Sequence, residues 1–196
     1  MILDALRQST AAVHQRVEKL LPLMEPSLTR PQYAEVLSRF YSVYAPLEAR
    51  VQAACASTPL AVETQARRKA RWIETDLASC GWSSSRINAI TRADDLPNVA
   101  DVASALGCMY VMEGATLGGQ YICRAIEKSL HLTRTTGLAF FHSYGARTGA
   151  MWSAFRTLIA DAPTTDGPAI LAAAVATFDC FERAFQSVSL VVGEPA

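Results

Sequence analysis

The stretch Tyr110-Val111-Met112-Glu113-Gly114-Ala115-Thr116-Leu117-Gly118-Gly119-Gln120 lies in the middle of a long apolar pattern. That pattern begins after Pro97-Asn98 and runs from about residue 99 to residue 130. Read as one helix, it carries three central glycines. Each costs ~1 kcal/mol relative to Ala, so together they weaken the segment by ~3 kcal/mol where nothing compensates. Gly114 and Gly118 are four residues apart and share a helix face. That face, bare of side chains, lets something flat lie against the backbone and lets the helix kink; close helix–helix packing is the other use of small residues. A phosphate loop fits poorly, because no Lys-Ser or Lys-Thr follows and no strand precedes.

The rest of the chain is also helical in pattern. Leu6, Val13, Val17 and Leu20 predict a first helix over about 3–21, stopped by Pro22. Thr29-Arg30-Pro31 reads as a cap with a first-turn proline, opening a second helix with Tyr33, Val36, Leu37, Phe40, Tyr44, Leu47 and Val51 on its apolar face and Pro46 as a bend. A third helix is predicted over about 62–79, with Trp72 and Leu77 inward and Gly81 just past its end. Another spans about 148–160. The last is capped by Asp166-Gly167-Pro168, and its face includes Val175, Phe178, Phe181, Phe185 and Val188. No segment alternates with period two for long enough to be a strand, and no repeat is visible. The expectation is all-α: a single domain, residues 1–196 with a core of about 3–190, folded as a bundle of six or more helices.

Composition narrows the function classes. The 196 residues carry 18 basic and 18 acidic side chains, a balance that argues against a nucleic-acid domain. An apolar fraction of 51% with 18% charged residues excludes intrinsic disorder and hints at apolar surface for a ligand or partner. The five cysteines form no C-x-x-C pair and read as buried thiols in a reducing compartment. The opening Met1-Ile2-Leu3-Asp4-Ala5-Leu6-Arg7 has no unbroken hydrophobic core for export. Asp101 and Glu113 interrupt the most apolar stretch, against a transmembrane span. A cytoplasmic location is expected.

Three histidines are present, at 14, 131 and 142. His14 lies beside the apolar stripe of the first helix, one turn before Glu18. An imidazole there is a natural metal ligand with a carboxylate placed to orient its second nitrogen. It also reads as a half-buried histidine with a solvent-facing partner. No histidine has an acid three residues before it, so a di-iron carboxylate bundle is not expected. The run Arg67-Arg68-Lys69-Ala70-Arg71 reads as a solvated helix face, or as a docking patch for an acidic protein.

Taken together, these residues resemble the heme oxygenase family, most closely its bacterial branch associated with phytochrome genes. The likeness rests on Leu6-Arg7 followed by His14-x-x-x-Glu18 and on the glycine stretch from Tyr110 to Gln120. Phe141-His142-Ser143-Tyr144-Gly145, with Thr148 and Trp152 after it, is similar to the family's later heme-contacting region. The resemblance implies heme between a proximal and a distal helix, with His14 as axial iron ligand and Glu18 orienting it. Gly114 and Gly118 would lie over the distal face, with Ala115 and Gly119 beside them. The resemblance further implies that the backbone there would crowd bound O2 toward one meso carbon, so that the ring would be opened to biliverdin, carbon monoxide and ferrous iron.

Two departures stand out. Ala115 occupies the position where the mammalian enzymes have an aspartate that anchors proton-delivering water, which leaves ordered water held by backbone groups or by Thr116. Met151 stands where a basic residue near the propionates is expected, leaving Arg7, with Arg147 and Tyr110 as further candidates. The chain has no flavin or nicotinamide fingerprint, so a ferredoxin, flavodoxin or reductase is the expected electron donor, with a bacteriophytochrome as one acceptor of biliverdin. The alternatives are a non-degrading heme carrier or sensor of the same fold, which Ala115 favours, and a heme-free member of the wider fold.

Overall fold

A computed structural model describes residues 1–186. The described residues contain nine α-helices and no strand: α1 (Ile2–Leu20), α2 (Arg30–Cys55), α3 (Ala61–Ala66), α4 (Ala70–Ser79), α5 (Ser84–Asn88), α6 (Val102–Leu130), α7 (Ala139–His142), α8 (Thr148–Ala160) and α9 (Gly167–Gln186). The expected continuation of the last helix to Val188 lies outside these residues. α1 buries Leu6, Val13 and Val17 of the predicted stripe together with Thr10, while Leu20, near its end, is only half-buried. α2 opens on a capping box in which Thr29 and Gln32 satisfy each other's backbone N–H, and it runs on as α-helix through Pro46. α6 is likewise one unbroken helix, boxed by Asp101 and Ser104 and closed by left-handed His131 (φ 55°).

α9 is the spine on which α1 and α6 both pack. Gly107 makes the α6–α9 approach possible, since a Cβ there would stand 2.3 Å from the Ile170 carbonyl oxygen. A cluster of Phe40, Tyr44, Phe140, Phe141, Phe181 and Phe185 joins α2, α7 and α9 at ring distances of 4.8–6.2 Å. The cysteines are free thiols. None of the described helices is long and apolar enough to cross a membrane.

The predicted helix over 62–79 is in fact two, broken at 67–69. The reason is electrostatic. Arg67 and Lys69 turn inward, and Glu48 accepts the backbone N–H groups of Lys69 (2.5 Å) and Ala70 (3.2 Å), which starts α4 afresh. The basic run is therefore not a solvated face: Arg67 and Lys69 are buried, and only Arg68 and Arg71 reach solvent.

A buried carboxylate also fixes α7. Asp76 on α4 accepts the N–H groups of Ala139 and Phe140, each at 2.8 Å. Burial pushes its carboxyl up to about 6, against the lowering effect of those two bonds. The folded value lies above the unfolded one, so this group's contribution to stability is full below about pH 4 and is lost as pH rises through 6. A shift of this size corresponds to on the order of 3 kcal/mol. We expect thermal unfolding of the Asp76→Asn variant, which deprives one N–H of its acceptor, to occur at lower temperature throughout but without the wild-type decline between pH 4 and 7. Equal slopes for the two proteins would refute the assignment.

Candidate functional site

The first helix and the glycine helix touch at Tyr110. Tyr110 of α6 faces Thr10 and Arg7 of α1; burial raises the pKa of its hydroxyl, and a hydrogen bond with Thr10 and the charge of Arg7 both lower it. Its ring also lies 5.9 Å from that of Trp152 on α8. From this junction His14 is one turn beyond Thr10 along α1, and Gly118 is two turns beyond Tyr110 along α6.

His14 is half exposed, with 53% of its side chain open to solvent. Its Nε2 stands 3.4 Å from Glu18 Oε1, and its ring lies 5.3 Å from that of Phe178 on α9. The predicted His–Glu pair is thus made, and the imidazole is accessible. Arg16, two residues on, forks onto Glu182 of α9 at 2.6 and 2.8 Å and anchors this part of α1.

The glycines divide by environment. A Cβ at Gly118 would meet nothing within 4 Å, and one at Gly114 would meet only the Trp152 ring edge at 3.9 Å. These two form an open strip of backbone continuing from Tyr110, flanked by exposed Leu117 and Tyr121. Gly119 points the other way. Its Cβ would lie 2.2 Å from the Phe141 carbonyl oxygen, so its bareness serves the packing of α7 on α6. Ala115 is exposed; Thr116 is buried, and its hydroxyl donates to the Glu113 carbonyl at 2.7 Å. Arg147 is exposed immediately before α8. Phe141 and Tyr144 belong to the interior, while Trp152 reaches the strip.

The sequence reading missed the ion cluster directly behind the strip. Glu113 Oε2 accepts from Arg67 at 2.6 Å, and Oε1 accepts from the Tyr144 hydroxyl at 2.8 Å and from Lys69. Lys69 is 2% exposed and Glu113 1%. Burial lowers the Lys69 pKa, opposed chiefly by the Glu113 charge. The available signal was an acid in the middle of the apolar run 102–123, which calls for a buried cation.

A strip of bare backbone, aromatic and aliphatic walls, an accessible imidazole with a carboxylate on it, and an arginine at one end suit a flat apolar ligand with anionic groups on one edge. Comparison with known proteins gives the fold and the family. The structure superposes on the heme oxygenase of Leptospira interrogans with a TM-score of 0.75 and 18% identity, covering 94% of this chain and 98% of that one. Heme oxygenase-1 of Synechocystis, solved in complex with heme, gives 0.75 at 14% identity over 96% and 92%. A Shewanella denitrificans domain of unknown function with a heme oxygenase-like fold gives 0.72 at 13% identity over 95% and 90%. These likenesses establish the fold. No curated protein matches the sequence. The family model for heme oxygenase matches residues 1–187, and with nearly the whole chain accounted for in this way, the protein belongs to the heme oxygenase family.

Proposed function

We propose that the chain, as one heme oxygenase-like domain, binds heme between α1 and α6 and cleaves it, using O2 and external electrons, to biliverdin, carbon monoxide and ferrous iron. The observation that carries this reading is the open backbone strip at Gly114 and Gly118 in a fold that also presents the solvent-accessible His14–Glu18 pair. Heme supplies the oxygen-activating iron and is itself the substrate. His14 holds the iron as a neutral nitrogen ligand, with Glu18 orienting its other nitrogen. Arg7 pairs with a propionate, assisted by the Tyr110 hydroxyl, and Arg147 is available at the entrance to α8. The backbone of Gly114, Ala115 and Gly118 excludes side-chain bulk from the distal face, and Gly119 keeps α6 seated on α7 behind it. Electrons come from a separate ferredoxin, flavodoxin or reductase. A cytoplasmic setting and a bacteriophytochrome as acceptor of biliverdin complete the proposal.

One observation favours a second reading, a heme carrier or sensor. Ala115 has no polar atom on its side chain, and the Thr116 hydroxyl is committed to the Glu113 carbonyl on the buried side of α6. Neither anchors water over the open strip, so proton delivery falls to backbone groups. An absorbance titration with hemin, followed by ascorbate or a ferredoxin system in air, separates the two. Loss of the Soret band with growth of a broad red absorbance is the expected result. A Soret band that survives reductant and oxygen establishes the carrier, and failure to bind hemin overturns both readings.

A further inference from the structure

We propose that buried Arg67 is a positioning residue that holds Trp152 over Gly114 and thereby fixes the α8 edge of the open strip. A single nitrogen of its guanidinium, Nη1, donates to Glu113 Oε2 at 2.6 Å and to the Met151 carbonyl at 3.1 Å. Those two acceptors belong to the residues immediately before Gly114 on α6 and Trp152 on α8. One buried atom thus ties α6 to α8, one residue before Gly114 and one before Trp152.

Other contacts make this bridge rigid. Arg67 Nε is held by Glu63 at 3.0 Å, and the guanidinium lies 5.5 Å from the Phe155 ring centroid of α8. The Lys69 ammonium donates to the Arg67 carbonyl at 3.0 Å and to Glu113, locking the 67–69 turn that interrupts the helical path. Both oxygens of Glu113 are therefore occupied, and it cannot rotate away from Arg67. Burying these charges is a poor source of net stability, because desolvation offsets most of the attraction. What the arrangement supplies is a fixed separation between a polar point on α6 and one on α8. The consequence for heme rests on the function proposed above; the positioning of Trp152 does not.

The test uses the full chain labelled with 5-fluorotryptophan, without hemin. The three tryptophans, at 72, 82 and 152, give three fluorine resonances, assigned by replacing each with Phe. Arg67→Met keeps an unbranched stem against Phe155 and leaves Glu113 paired with Lys69 and Tyr144. We expect it to shift and broaden the Trp152 resonance while that of Trp82, stacked on Arg86 at α5, stays in place. Tyr144→Phe removes a bond to Glu113 without touching the bridge. It should move Trp72, whose ring lies 5.6 Å from that of Tyr144, and spare Trp152. An unmoved Trp152 in Arg67→Met overturns the proposal, as does an equal response in Tyr144→Phe, which would mean general loosening. Arg67→Lys, which keeps the charge but loses the planar fork, is read in the same way if the Met variant does not fold. Because hemin is absent, these outcomes stand whether or not the cleft binds heme.

Discussion

Replacing His14 with Ala is expected to give a folded protein whose hemin complex lacks the spectrum of histidine ligation and which no longer turns heme over. The fold should be indifferent to the change. The side chain is 53% exposed, pairs with exposed Glu18, touches only the Phe178 ring besides, and sits on a helix held by Leu6, Thr10, Val13 and Val17. A surface substitution of this kind changes stability by within about 0.5 kcal/mol, and Ala is the better helix former. The site should not be indifferent. Hemin would retain its apolar contacts with the cleft but lose its nitrogen ligand. Glu18→Gln should be milder, weakening metal-dependent binding by about 10–100-fold, as loss of a ligand's orienting partner typically does. His142→Ala is the control, since that imidazole lies on α7, 3.7 Å from Glu127. Circular dichroism establishes folding, and absorbance with magnetic resonance reads the ligand. A His14→Ala complex with an unchanged spectrum and rate would remove His14 from the site.

The sequence carried the helices well where each helix supplied its own signal. The stripe of α1, the cap and proline that open α2, and the extent of α6 are local patterns of spacing and capping, and the structure reproduces them. It failed where the deciding partner is distant. The inward turn of Arg67 and Lys69 depends on Glu113, more than forty residues further on, and the fresh start of α4 on Glu48, some twenty residues earlier. A window of five residues, four of them basic, contains neither. The site shows the same division. Spacing alone placed Gly114 and Gly118 on one face and His14 one turn from Glu18. That Gly119 faces a carbonyl of α7 is a tertiary fact with no local trace.

The neighbouring glycines should therefore respond in opposite senses. Gly119→Ala places a methyl 2.2 Å from the Phe141 carbonyl oxygen. That oxygen belongs to backbone fixed by Asp76 and by the packed rings of Phe140 and Phe141, so it cannot swing aside as a flexible side chain would. Overpacking of this kind costs about 1–3 kcal/mol, which lowers the melting temperature of a chain this size by about 3–10 °C. Gly118→Ala meets nothing and removes a helix-interior glycine, so it should stabilise the protein by up to about 1 kcal/mol. Its cost falls on the site, where the methyl stands on the strip that the proposed function assigns to the distal face. Gly118→Leu extends that intrusion and should abolish turnover by blocking access to the iron, with the melting temperature still at or above that of the parent. Gly119→Ala, assayed well below its own melting temperature, should keep turning heme over. Calorimetry and biliverdin yield on the same preparations test both claims. A Gly118→Leu enzyme with normal yield would show that the open strip is not the face the cofactor uses, and a Gly119→Ala protein as stable as its parent would show that α7 can retreat from α6 at no cost.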